Sequence, residues 1–137
     1  MIRHNLAREV SRSEMEDHFA RSRELGLVMA ADNVQKNMKF VCHCCSCCCN
    51  VLRGISVHGY PNSLVTSTYL AEIDAESCVG CGKCAKACPI EAISVVALEH
   101  TEARRTRDVR VDSSICIGCG VCALGCPIRA CRLGKRG

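Results

Sequence analysis

Cys78-Val79-Gly80-Cys81-Gly82-Lys83-Cys84-Ala85-Lys86-Ala87-Cys88-Pro89 and Cys116-Ile117-Gly118-Cys119-Gly120-Val121-Cys122-Ala123-Leu124-Gly125-Cys126-Pro127 are two copies of one pattern, C-x-x-C-x-x-C-x-x-x-C-P, set 38 residues apart. Three thiols spaced by two residues let one tight loop wrap three corners of a sulfur-bound centre. The glycines at 80, 82, 118 and 120 permit the unusual backbone angles and close approach that such a loop needs. Together the copies use eight of the fifteen cysteines. Disulfides are the competing use of so many thiols. An odd cysteine count leaves at least one unpaired, and a secreted disulfide framework shows no such tandem repeat. Met1 to Leu27 alternates charged and apolar residues, so no signal peptide is expected. No stretch approaches the roughly 20 apolar residues that span a membrane. A reducing, cytoplasmic setting is the expectation.

This spacing is the bacterial run of cysteines that ligates a [4Fe–4S] cluster. Zinc also accepts C-x-x-C pairs, but zinc modules pair two such knuckles across a longer gap and need no third cysteine or trailing Cys-Pro. Metal also suits the composition. The chain has 137 residues, no Trp, and only Phe19, Phe40, Tyr60 and Tyr69 as aromatics. A core so poor in large side chains is thin, and small domains of this kind need metals or crosslinks. The formal net charge of +4 is no sign of nucleic-acid binding. Each oxidised cluster with its four thiolates contributes about −2, so two clusters bring the chain to neutrality.

From Glu72 onward the chain is an internal duplication. Each half has an apolar-acidic lead-in (Ala71 to Asp74, then Val109 to Asp112), the cysteine loop, a short helical turn into Cys-Pro, and a small apolar exit (Ile90 to Val95, then Ile128 to Leu133). Self-similarity of this kind marks two equivalent packed units. The run from Ala97 to Asp108, with Glu99, His100, Glu102, Arg104, Arg105 and Arg107, reads as a solvated loop extending a β-hairpin. Upstream, Ser13 to Glu16 fits a capping box and predicts a helix over about 14 to 25, with Met15, Phe19, Ser22 and Leu25 on one face and Gly26 as its stop. A shorter helix is expected near Val34 to Met38. Residues 50 to 71, with Gly54, Gly59 and Pro61-Asn62, read as an irregular connector feeding a β-prone stretch from Leu64 to Ile73.

On these motifs, residues 72 to 133 resemble the bacterial dicluster ferredoxin domain that carries two [4Fe–4S] clusters. The resemblance implies an α+β fold of β-hairpins and short helices related by a pseudo-twofold axis. It also implies an electron carrier with no substrate pocket of its own. In two-cluster ferredoxins the fourth cysteine of each run ligates the other cluster. Carried over, Cys78, Cys81, Cys84 and Cys126 hold one cluster, and Cys116, Cys119, Cys122 and Cys88 hold the second. Pro89 and Pro127 end each segment. The expected organisation is a helical, cysteine-rich module over 1–71 and a dicluster domain over 72–137.

The least ordinary segment is Cys42-His43-Cys44-Cys45-Ser46-Cys47-Cys48-Cys49, with six cysteines in eight positions. Cys42, Cys45 and Cys48 repeat the spacing of the two loops, and Cys44 and Cys47 form an interleaved C-x-x-C. A third iron–sulfur cluster is the leading expectation, and the spacing does not say which four would bind. A zinc site, a thiol–disulfide relay and metal storage are the alternatives. His43 and His58 could supply nitrogen ligands but read as bystanders. Cys131 reads as a small packing residue.

The expected function is electron transfer along two or three [4Fe–4S] clusters, as a subunit or dedicated partner of an anaerobic redox enzyme complex. The helix and the basic Lys135-Arg136 would be docking surface. The alternatives are a redox or metal sensor whose detector is Cys42 to Cys49, and the iron–sulfur part of an enzyme whose odd third cluster is the catalytic centre. No nucleotide-binding glycine loop or paired-carboxylate constellation is visible, and the mixed charges of residues 14 to 25 argue against a DNA-recognition helix. Anaerobically purified protein is expected to be brown and to carry about eight irons in the duplicated part; a colourless protein with stoichiometric zinc would refute this, and metal analysis decides.

Overall fold

The computed structural model describes residues 1–60, 63–64, 67–98 and 107–136. It is a mixture of short helices and small antiparallel strand pairs. After a 3-10 turn at Ile2–His4 come α1 (Arg12–Glu24), β1 (Val28–Ala31), β2 (Val41–Cys44) and α2 (Asn50–Ser56). The duplicated part follows with β3 (Tyr69–Ile73), α3 (Lys83–Ala87), β4 (Ile93–Ala97), β5 (Arg107–Val111), α4 (Val121–Leu124) and β6 (Cys131–Lys135).

The first helix starts two residues earlier than its capping box suggested. Ser11, not Ser13, is the N-cap, and its hydroxyl accepts the Glu14 N–H at 3.2 Å. Ser11-Arg12-Ser13-Glu14 has the same S-x-x-E form, so the signal was right and its register wrong. The Glu14 carboxylate reaches back toward the Ser11 backbone N–H, but that is not its main interaction. It pairs with Arg8 instead, which holds it below its ordinary carboxylate range. The C-terminus is as expected: Gly26 has φ 64°, its N–H donates to Arg23 and that of Leu27 donates to Ser22. That is the paired bonding of a left-handed glycine stop. Of the face read from the sequence, only Ser22 is buried, while Met15 and Leu25 are exposed.

Two further expectations are corrected. Val34 to Met38 is not helical. Asn37 is left-handed at φ 57°, and the Lys39 N–H donates to the Asp32 carboxylate at 3.1 and 3.2 Å. The carboxylate closes a loop between β1 and β2 and replaces the helical bonding. The connector after residue 50 is not wholly irregular, because it begins with α2. Leu52 and Ile55, three apart, are buried on one face of that helix. Gly54 read as a breaker, but a Cβ there would meet Ser63 Oγ at 3.4 Å, so its smallness serves packing. Pro61-Asn62 and the charged run through Glu99, His100, Glu102, Arg104 and Arg105 lie outside the described residues.

In the duplicated part the lead-ins and exits are strands that pair crosswise. β3 runs antiparallel to β6, from Tyr69 opposite Lys135 to Ile73 opposite Cys131. β4 runs antiparallel to β5, from Ile93 opposite Val111 to Ala97 opposite Arg107. The two halves repeat their joints. The Asp74 N–H donates to Ala130 and the Asp112 N–H to Ala92, both at 2.8 Å. One buried cluster unites Val28, Leu52 and Ile55 with Ile90, Ile93, Val109, Ile117 and Val121. Leu52 is 1% exposed, so Leu52→Ala is expected to cost roughly 2–5 kcal/mol. Met15→Ala should change stability by less than about 0.5 kcal/mol, both read by anaerobic urea unfolding.

Candidate metal centres

Each cysteine loop is launched by an aspartate. The Cys78 N–H donates to the Asp74 carbonyl and the Cys116 N–H to the Asp112 carbonyl, both at 2.9 Å. The Asp74 carboxylate accepts from the Ser77 hydroxyl at 2.6 Å and the Glu76 N–H at 3.1 Å. The Asp112 carboxylate accepts from the Ser114 hydroxyl and N–H at 2.5 and 2.9 Å. These bonds, the hydroxyl first, hold both carboxyls below their usual range. The acidic residue of each lead-in is therefore a loop clasp.

The loops then turn through left-handed glycines. Gly80 and Gly118 have φ 68° and 66°. A Cβ on Gly80 would collide with the Arg107 carbonyl oxygen, and one on Gly118 with the Tyr69 carbonyl oxygen. Each loop thus lies against the first residue of a strand, β5 or β3. Ser67 adds a pin that the sequence did not announce, its hydroxyl lying 3.3 Å from the carbonyl oxygens of Tyr69, Ile117 and Gly118.

Short helices carry each run away from its own loop. α3 ends at Cys88, and α4 leads through Gly125 into Cys126. A Cβ on Gly125 would sit 3.0 Å from Ala87 Cβ, so glycine in the second copy lets the helices pass closely. Cys78, Cys81, Cys84 and Cys126 share the lining of one cavity with a fifth cysteine, Cys131, and with Ile73 and Val109 in its wall. Cys88, Cys116, Cys119 and Cys122 share the lining of another, with Ile90 and Leu133. Each is a narrow cleft with a free volume of about 10 Å³.

The donor chemistry fits an iron–sulfur cluster. Four thiols and an apolar wall are the surroundings that thiolate-bound iron requires. Backbone N–H groups already point at sulfur, Gly80 to Cys78 Sγ at 3.4 Å and Ala92 to Cys88 Sγ at 3.3 Å. Burial pushes the Cys84 and Cys88 thiols up and Cys119 to about 11. The Cys122 thiol is raised first by its hydrogen bond with Cys131 and then by burial. Metal must displace these protons to gain thiolates, so loading is coupled to pH.

The two cavities differ in exposure. Val79 is 54% exposed, whereas its counterpart Ile117 is 6% exposed. Cys81 is exposed and its counterpart Cys119 half-buried. The cover over the Cys116 loop comes from upstream. Val28 to Asn33, Leu64 and Ser67 flank a groove with Ile117, Gly118 and Cys119. Arg136 closes the same loop, donating to the carbonyls of Cys116 at 3.0 Å and Ser113 at 3.3 Å. Both residues, Lys135 and Arg136, read from the sequence as docking surface, stay exposed. Lys135 belongs to β6, and the Arg136 side chain bonds the loop.

In the six-cysteine segment, β2 carries Cys42 and Cys44 on one face and His43 on the other, by strand alternation. His43 turns to α1, its Nδ1 2.5 Å from Ser22 Oγ and its ring 5.5 Å from that of Phe19. It fastens the helix to the strand, as a bystander would. Cys44 contacts Cys42 and Cys49 and is raised to about 11, chiefly by burial. Cys49 is lowered by the backbone N–H groups of Leu52 and Val51. Beyond the turn, the sulfurs of Cys45, Cys47 and Cys48 lie within 4.8 Å of one another, and Cys45 and Cys47 are joined by a disulfide. Cys131 is buried in the main core.

Residues 77–130 match the family model of the 4Fe-4S dicluster domain. The match supports a ferredoxin-type iron–sulfur domain with an electron-transfer function. No curated protein matches the chain. Among the described residues, no helix is long and apolar enough to cross a membrane. Cys131→Ala is expected to leave about eight irons in the duplicated part while costing about 1 kcal/mol of packing. Loss of about four irons in metal analysis would make Cys131 a ligand.

Proposed function

We propose that the chain transfers single low-potential electrons through two [4Fe–4S] clusters held by exchanged cysteines. Cys78, Cys81, Cys84 and Cys126 ligate one cluster, and Cys116, Cys119, Cys122 and Cys88 ligate the other. The observation that carries this reading is the lining of each cavity by three sulfurs of one run and the fourth of the other. The repeated aspartate clasps and crosswise strand pairs support a pseudo-twofold ferredoxin arrangement over 72–137. The residues upstream of β3 form an additional module that shares its core and covers one face of it.

The protein serves as an electron-transfer subunit or dedicated partner of a larger redox enzyme in a reducing compartment, with no substrate site of its own and no role with nucleic acid. Support for a fixed place in a complex lies in the additional upstream length and in the asymmetric covering of the clusters. A bound cluster would supply the one-electron chemistry, and the protein supplies the sulfur ligands, the N–H donors to sulfur and the apolar walls beside them.

The exchanged assignment makes crossed predictions. Cys126→Ser is expected to disrupt the cluster of the Cys78 loop, and Cys88→Ser that of the Cys116 loop, each lowering the iron of the duplicated part from about eight toward four. Paramagnetic resonance of the reduced variants tells which signal is lost. Loss of the signal belonging to the mutated run's own loop would overturn the exchange. The unaltered protein should titrate reversibly and turn over nothing alone.

A further inference from the structure

The segment Cys42–Cys49 has a sulfur geometry unlike that of the two cavities. In the cavities the cysteines of both runs line a narrow cleft together with aliphatic side chains. Beyond β2 three sulfurs instead converge on one point: Cys48 Sγ is 3.8 Å from Cys45 Sγ and 3.7 Å from Cys47 Sγ. With metal–sulfur bonds of about 2.3 Å, the sulfurs of a tetrahedral thiolate site stand about 3.8 Å apart. A second group, Cys42, Cys44 and Cys49, lies on the other side of the turn, where Cys44 contacts both of its fellows. The Cys49 N–H donates to the Cys45 carbonyl at 3.2 Å and folds the two groups together. His43 is withdrawn to Ser22 and Phe19, so the donors that remain are sulfur alone.

The backbone that holds this sulfur cluster is anchored. β2 is paired in register with β1, Val28 opposite Cys44 and Ala30 opposite Cys42. α2, which follows Cys49 directly, is pinned by the buried Leu52 and Ile55. Cys44 and Cys49 pack against the same core as Ile117 and Val121 of the Cys116 loop. Cys47 and Cys48 are exposed. The exposed Cys48 thiol thus stands at metal-ligand spacing from both sulfurs of the Cys45–Cys47 disulfide, on a fixed frame.

We propose that Cys42–Cys49 is a third metal centre, bound by Cys45, Cys47 and Cys48 together with one sulfur of the Cys44–Cys49 pair, and seated on the Cys116 side of the dicluster unit. Its occupant is a thiophilic metal, either iron in an iron–sulfur cluster or a single tetrahedral ion such as zinc. The site itself stands whether or not the exchanged-ligand reading holds; only its use as a further electron station depends on that reading. Binding needs Cys45 and Cys47 as thiolates. Their disulfide is first opened by a dithiol reductant, which gives up two electrons and leaves as its own disulfide.

The test uses the full chain, purified anaerobically, with iron, acid-labile sulfide and zinc measured together. Cys45, Cys47 and Cys48 are then probed with iodoacetamide before and after chelation. About twelve irons and twelve sulfides per chain would identify the occupant as a cluster. About eight irons with one zinc would identify it as a mononuclear ion. In both cases Cys48, although exposed, should resist alkylation until the metal is removed. The variant Cys45→Ser/Cys47→Ser/Cys48→Ser should lose this metal alone and keep about eight irons. The milder Cys47→Ser/Cys48→Ser serves if that variant does not fold. Prompt alkylation of Cys48, with Cys45 and Cys47 released only by a dithiol reductant and with no metal beyond about eight irons, would overturn the proposal in favour of a disulfide. Total iron well below eight in every form, with Cys48 still protected, would sink the dicluster reading and leave the third centre standing.

Discussion

The constraint on which the rest of the structure depends is the passage of each fourth cysteine into the cavity of the opposite loop. Cys88 and Cys126 reach those positions because α3 and α4 pass closely, with Ala87 against Gly125. The crossing helices bring each exit strand beside the lead-in strand of the opposite copy at β3–β6, and beside that of the following copy at β4–β5. Neither half can therefore complete its sulfur set alone. In the two-cluster reading, metal binding and folding become one process, because every cluster ties residues from both runs.

That coupling compensates for a modest hydrophobic core. Phe40, Tyr60 and Tyr69 are exposed, and the buried set is built from aliphatic residues, alanine and cysteine. Side chains of this size bury little area each, at about 25 cal/mol per Å². Small domains with such cores rely on staples, which in the two-cluster reading eight thiols would supply through metal. The upstream module adds Val28, Leu52 and Ile55 to the same core. It thereby enlarges the buried volume on one side only, over the Cys116 loop.

Much of the site was legible in the sequence because its signals are local. The cysteine spacing, the glycines and the trailing proline all act within a dozen residues, and the loops bear them out in φ angles and close approaches. The Schellman stop at Gly26 was legible for the same reason. What the sequence concealed depended on competition between neighbours or on distant contacts. Ser11 and Ser13 both begin an S-x-x-E, and the Glu14 N–H bond to the Ser11 hydroxyl shows which box is used. Val34 to Met38 carries helix-compatible residues, yet the Asp32 carboxylate captures the Lys39 N–H and bends the chain. α2 was hidden behind Gly54, whose meaning depends on Ser63 packing against it. Arg136 looked like free surface charge until its carbonyl partners, more than twenty positions back in the case of Ser113, were in place.

The same distant contacts make two identical motifs unequal. By sequence alone the Cys78 and Cys116 loops are interchangeable. In the fold, Val79 faces solvent while Ile117 is buried, and a guanidinium lies against the carbonyl of Cys116 with no counterpart in the motif itself. Solvent exposure and hydrogen bonding near the sulfurs set the potential of an iron–sulfur cluster. Two clusters in these positions would therefore sit in unequal surroundings. Burial removes water that would stabilise the extra negative charge of the reduced state, whereas the Arg136 guanidinium favours that charge. These effects oppose each other at the covered loop and are weaker at the exposed one. The upstream module thus does more than lengthen the chain: by covering one of two equivalent loops, it makes the surroundings of the two sulfur sets unequal.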